Sequence, residues 1–385
     1  MNLVTRRSFM VTLASVPIVV RESFAAPMRS QLMFAGTDTG AKSSSKGIYA
    51  YRWESTSGTL LPLGLAAETA SPAYMALSPD RQYLYSVNEV REYNGQKTGT
   101  VSAFSVNPRS GMLTLKNLVL SGGMGPCNIA IDHTGKAVFV ADGAGGSLAS
   151  YRVLSDGSLS DPVSNFHFAG HSVNPVRQKS AYTHCTVVSP DNRYLVVNDL
   201  GLDRITTYLF DPTTALLTPN AAPFFATVPG SGPRNFTFHP NSRWAYSVNE
   251  MGSTIDVLAW ESGPGSLTGL QHLSTLPPNF AGQNLAATVR VDLTGRFLYV
   301  SNRGANTIAV FSIDQLHGTL QQIQQIACGG ETPRYFSIDP SNRWLLVGNQ
   351  DSASIVVLAR NSKTGLLSPT NTQAKIDFPM FLIFA

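Results

Sequence analysis

From about residue 31 onward, hydrophobic and polar residues alternate one for one in short runs. Phe236-Thr237-Phe238, Trp244-Ala245-Tyr246-Ser247-Val248 and Thr254-Ile255-Asp256-Val257-Leu258 all carry this period of two, the spacing of strands whose successive side chains face opposite ways. Turn formers separate the runs: Pro240-Asn241-Ser242 lies between the first two, and Gly265-Ser266-Leu267-Thr268 leads into a fourth. No stretch of ten residues or more carries the 3.6-residue period of an amphipathic helix, so the pattern predicts an all-β chain.

The pattern also repeats at long range. Ser78-Pro79-Asp80-Arg81-Gln82-Tyr83-Leu84-Tyr85-Ser86-Val87-Asn88 and His239-Pro240-Asn241-Ser242-Arg243-Trp244-Ala245-Tyr246-Ser247-Val248-Asn249 are one unit written twice. Four more copies close on Asp142, Asp199, Asn302 and Asn349, so the six closing residues are spaced by 54, 57, 50, 53 and 47 residues. Four short antiparallel strands in each unit of about 40–50 residues are the signature of a propeller blade. The closing Asn or Asp is expected to bind a turn backbone in every blade.

Two fragments remain. Residues 32–37, 47–53 and 59–63 read as the second, third and fourth strands of a blade without a first, and residues 378–384 form an apolar strand without a blade. Because an open ring leaves an unpaired sheet edge, the fragments are expected to complete one another. The predicted fold over residues 31–385 is therefore all-β: a seven-bladed β-propeller with four antiparallel strands per blade, closed by its N- and C-terminal strands.

Residues 1–30 read differently. Thr5-Arg6-Arg7-Ser8-Phe9-Met10 precedes an apolar run from Val11 to Val20 and a small-residue stretch near Ala25-Ala26, the pattern of a twin-arginine export signal. The run is too short to span a bilayer. A periplasmic or otherwise exported domain without an integral membrane span is expected.

Composition removes several classes of function. Only 14% of residues are charged against 43% hydrophobic, which excludes a disordered or coiled-coil chain. With 28 Lys and Arg against 24 Asp and Glu, a net charge of +4 and no basic block, nucleic acid is not an expected partner. Three cysteines do not make a disulfide scaffold, although Cys127 and Cys185, in adjacent blades of an exported protein, leave one bridge open. The histidines lack metal-ligand spacing and no Gly-x-Ser-x-Gly elbow occurs, so no metal, no cofactor and no serine nucleophile are called for. A monomer is expected.

The units Ser189-Pro190-Asp191-Asn192-Arg193-Tyr194-Leu195, Asn198-Asp199-Leu200-Gly201-Leu202-Asp203-Arg204, Gly232-Pro233-Arg234, Val248-Asn249-Glu250 and Gly295-Arg296-Phe297-Leu298-Tyr299-Val300-Ser301-Asn302-Arg303-Gly304 resemble the seven-bladed lactonase family. That family includes propeller-type 6-phosphogluconolactonases and a fungal carboxymuconate cyclase. The resemblance covers residues 31–385 and implies hydrolysis of a sugar or acidic lactone at the central rim. A non-catalytic periplasmic binding or interaction propeller and a muconate-type cycloisomerase are the alternatives. The chain departs from the family pattern at Cys127-Asn128 and Arg234-Asn235, where a His usually follows, and at Tyr182 and Thr288, where His and Glu are usual.

Topology predicts where the chemistry gathers. If the first strand of each blade runs down the channel and the second runs back, first-strand starts and second-strand ends share one mouth. The first column is Ala73, Cys127, His184, Arg234, Ala287 and Arg334; the second is Glu89, Gly143, Leu200, Glu250, Arg303 and Gln350. Arginines, glutamates and a histidine aimed at one funnel either pair with each other or await an anion. His184, Glu250, Arg234 and Arg303 are the expected catalytic set, with His184 or Glu250 as base and the arginines holding the oxyanion or an acidic group. Arg334, Gln350, Glu89, Asn235 and Asn128 are expected to bind substrate, a small acidic lactone or sugar acid.

Overall fold

The computed structural model describes residues 30–222 and 224–385. The Arg6-Arg7 motif and the rest of the expected export signal up to residue 29 lie outside the described residues. The described residues form seven antiparallel sheets and contain no helix. Each blade runs outward from an innermost strand: Tyr74–Leu77, Pro126–Ile131, Thr183–Val188, Pro233–Phe238, Leu285–Val291 and Pro333–Ile338 in the six sequential blades.

The remaining blade joins the two ends of the chain. Pro379–Phe384 pairs antiparallel with Gln31–Thr37, Phe34 opposite Ile383 and Ala35 opposite Leu382, so the C-terminal strand is the innermost strand of the first blade. Phe381 lies 3.9 Å from the ring of Tyr74 in the second blade and 4.1 Å from that of Tyr335 in the seventh, centroid to centroid. The closing strand is thus wedged between the aromatic rings of both neighbouring blades, where its burial stabilises the ring.

The repeat is also the seam between blades. An aromatic residue at the start of a second strand packs on a glycine in the outer turn of the next blade: Tyr83 on Gly157, Tyr194 on Gly265, Trp244 on Gly318, Phe297 on Gly365 and, across the closure, Trp344 on Gly58. These glycines take positive φ, and a Cβ on any of them would lie within 3 Å of the ring.

Two expectations need correction. The outer edge of the fourth blade is not one strand: Leu217–Pro219 and Phe225–Ala226 pair separately with Arg204–Phe210, and the Asn220 amide still donates to the Thr207 carbonyl between them. The closing Asn/Asp also serves more than turn backbones. Asn88, Asn302 and Asn349 donate to the carbonyls of Ala70, Thr275 and Cys328, and Asp199 accepts from the Tyr182 and Leu202 amides. Asn249 instead turns to the side chains of Thr254 and Asp256, and Asp142 to the Ser147 hydroxyl.

Candidate functional site

The two columns do meet. The Glu89, Gly143, Leu200, Glu250 and Gln350 amides donate to the carbonyls of Ser71, Gly125, Tyr182, Gly232 and Thr332, each two residues ahead of the first-column residue of the same blade. What aims that column is a repeated irregularity. Pairing passes from Pro126 to Asn128, Thr183 to Cys185, Pro233 to Asn235 and Pro333 to Tyr335, leaving Cys127, His184, Arg234 and Arg334 without a cross-strand partner. Each is the extra residue of a β-bulge, which kinks the strand and redirects its side chain. In the fifth blade the approach is set by Gly232, at φ 67° with the Met251 and Leu200 side chains where a Cβ would stand.

Cys127, His184, Arg234 and Arg334 line a narrow well. Its floor is braced by Arg290, whose guanidinium donates to the Tyr74 and Tyr335 hydroxyls and to Asn235 Oδ1. Above it, Glu250 is buried and shared among three arginines. Its Oε2 accepts from Arg234 Nε at 2.9 Å and Arg303 Nη2 at 2.8 Å, and its Oε1 from Arg177 Nη2 at 2.5 Å. Burial alone would raise the Glu250 pKa, but Arg303, Arg234, His184 and Arg177 hold it well below the carboxylate range. Burial lowers the Arg303 pKa to about 10, against the pull of Glu250.

On the opposite wall Arg334 Nη2 stands 3.6 Å from Glu89 Oε2. His184 is 8% exposed and stacks on Tyr182 at 5.9 Å between ring centroids. Burial, and then Arg234, push its pKa well below 6.5, so the imidazole is neutral. Gln350 occupies its expected column, with Oε1 buried and lacking a hydrogen-bond partner.

Asn128 and Asn235, expected among the substrate contacts, line the well and also tie neighbouring blades together. Asn128 Oδ1 accepts from the Thr186 amide and hydroxyl, both at 2.9 Å, and Asn235 Oδ1 accepts from the Val289 amide and Arg290. Cys127 and Cys185 are free thiols. Cys127 Sγ faces the Thr183 and His184 carbonyls, whereas Cys185 receives Asn235 Nδ2, so no bridge joins them. Among the described residues no three His, Cys, Asp or Glu gather as metal ligands.

Sequence reasoning missed Arg177, which belongs to no repeat. It lies in the connection between the third and fourth blades, within the longest interval between closing residues, 57 residues from Asp142 to Asp199. That excess length was the available signal. Buried Gln178 anchors the connection by donating to the Leu200 carbonyl and accepting the Asn174 amide. Arg177 is thereby presented over Tyr182, its guanidinium 5.1 Å from the ring centroid. Arg177 and Arg303 also border an open cleft of about 760 Å³ beside the well, floored by Ser253 and Asn284.

Residues 32–384 match the family described as lactonase, 7-bladed beta-propeller. The chain is 31% identical to a 6-phosphogluconolactonase of Bacillus subtilis over 93% of its own length and 99% of the relative's. It is 33% identical to one from Formosa agariphila over 87% and 94% of the two chains. The solved structure of a periplasmic gluconolactonase from Pseudomonas aeruginosa superposes with a TM-score of 0.85 at 33% identity, covering 92% of this chain and 99% of that one. The chain belongs to the seven-bladed β-propeller lactonase family.

Proposed function

We propose that the chain hydrolyses an acidic sugar lactone at the channel mouth. The observation that carries this reading is the charge count there: Arg177, Arg234, Arg303 and Arg334 face only two carboxylates, Glu89 and Glu250. Two positive charges are left over in a partly desolvated funnel, where such a surplus favours an anionic ligand and a developing oxyanion. Glu250 fixes the arginines in space, so their N–H groups need little reorganisation as charge builds on the carbonyl oxygen. His184, neutral on the well wall, can exchange one hydrogen bond with the substrate. The cleft beside Arg177 and Arg303 gives room for the remainder of the sugar.

The reaction is placed after export, a reading supported by the Arg6-Arg7 motif and by the likeness to a gluconolactonase described as periplasmic. Purified protein assayed against a panel of sugar lactones, with and without carboxylate or phosphate groups, tests the activity. Ring opening above the spontaneous rate, fastest with the anionic members, is expected. No acceleration with any member contradicts the proposal. Replacing Arg6 and Arg7 by Lys is expected to retain the protein in the cytoplasm on fractionation.

A further inference from the structure

Hydrolysis needs a group to take a proton from the attacking water, and the mouth offers three. They differ in what protonation does to their surroundings. Protonating Glu250 would break its ion pairs with Arg177, Arg234 and Arg303. Protonating His184 would create a cation in a buried position already facing Arg234, Arg334 and Arg303. Glu89 alone gains on both counts, because it becomes neutral and gives up a single ion pair, to Arg334, that at 3.6 Å is longer than a hydrogen bond.

The placement of Glu89 also fits. It follows Asn88 at the end of the second strand of the second blade, its amide held by the Ser71 carbonyl. Its side chain keeps 24% of its surface exposed, yet Oε2 is covered and has no hydrogen-bond partner. Arg334, which reaches it, lines the well that also holds Arg234 and His184. The second blade and the fifth and sixth stand on different sides of the channel, so Glu89 and the Arg234 and Arg303 donors approach the mouth from different sides.

We propose that Glu89 is the general base of the hydrolysis, with Arg334 as its positioning residue; the assignment rests on the lactonase reading above. Water oxygen bonds to the lactone carbonyl carbon, a water proton passes to the Glu89 carboxylate, and the carbonyl π pair moves onto the oxygen held by the arginines. Collapse re-forms the carbonyl and breaks the bond to the ring oxygen, which takes the proton back from Glu89. The products are the ring-opened hydroxyl and a carboxylic acid that ionises in water. Burial raises the Glu89 pKa, opposed by Arg334 and Arg234; Asp38 and Arg91 are its other charged neighbours, and Cys127 and Tyr182 face it. A base raised toward the working pH is better matched to its task than one held low.

The test is the pH profile of lactone hydrolysis by Glu89→Gln, Glu89→Asp, Arg334→Met and wild type, each confirmed folded by its melting curve. Glu89→Gln should lower kcat about 100-fold or more with KM within about threefold, and should abolish the acid limb of the wild-type kcat/KM profile. Glu89→Asp should keep the limb at reduced kcat, and Arg334→Met should move it to higher pH. Retention of the limb and of near-full kcat in Glu89→Gln overturns the assignment, as does loss of the limb in Glu250→Gln instead. If Glu89→Gln does not fold, an Asp variant with unchanged kcat and limb overturns it equally. Wild-type protein that opens no lactone contradicts the hydrolase reading itself. Infrared difference titration of wild type then still decides whether Glu89 is the most basic carboxylate of the mouth, and its titration below the ordinary glutamate range overturns the inference.

Discussion

Two buried clusters of arginine and carboxylate lie on opposite faces of the propeller. Between the sixth and seventh blades, Asp292 and Arg360 form an ion pair at 2.7 Å with both side chains fully buried. Every remaining demand of that pair is met locally: Asp292 accepts from Thr294, Asn342 and the Arg296 and Phe297 amides, while Arg360 donates to the Tyr299 hydroxyl and the Asn342 carbonyl. Charges cancel one for one. At the mouth, by contrast, Glu250 is shared among three arginines and Arg334 is only loosely engaged by Glu89. The first cluster is complete without a ligand and the second is not, and this difference marks the mouth as the working end.

Removing a partner separates the two roles. Asp292→Asn strands Arg360 in the interior and should cost about 3–5 kcal/mol of stability, read from denaturant unfolding, with turnover per folded molecule unchanged. Arg234→Met should do the reverse. Glu250 keeps two arginines, so folding should suffer less, while affinity for an anionic lactone or its sugar acid should fall by about 2–5 kcal/mol in titration calorimetry.

The pH dependence of stability sharpens the contrast. The folded pKa of Glu250 is depressed, so its contribution is present above the unfolded carboxyl range and lost as pH falls through the depressed value. Glu250→Gln should therefore lose about 1.5–3 kcal/mol at pH 7, the scale of charge-assisted hydrogen bonds, with the gap to wild type closing in strong acid. Asp142 is the third case, a buried carboxylate with no arginine at all. Its Oδ1 lacks a hydrogen-bond partner, and burial pushes its pKa up to about 7, against bonds from Ser121 and Ser147. A raised carboxyl favours folding below its unfolded pKa and loses that advantage as pH rises through about 7. Asp142→Asn should accordingly stabilise by about 1–3 kcal/mol at pH 8 and by little at pH 4.

The ring was legible in the sequence because a propeller writes its core as a repeat. Strand period, turn residues and the closing Asn/Asp recur, and the two end fragments at residues 32–63 and 378–384 are complementary. The site was legible only as columns. Arg234, Arg303, Glu250 and His184 could be placed on one rim, but the bulges that aim Cys127, His184, Arg234 and Arg334 are register shifts only partly written in the residues: a proline precedes Cys127, Arg234 and Arg334, whereas Thr183 precedes His184. Arg177 escaped because a connection between blades follows no period. Asn128 and Asn235 were placed in the right column, yet which neighbour an amide side chain serves depends on the adjacent blade, as Thr186 and Val289 show.

The central claim, that surplus positive charge at the mouth recruits and activates an acidic lactone, is tested most directly by kcat/KM for a matched pair of lactones differing only in one anionic group, at low and high salt. The account predicts at least a tenfold preference for the anionic member at low salt, narrowing as salt screens the arginines and collapsing in Arg303→Met. Equal kcat/KM for the two lactones at every salt concentration would contradict it.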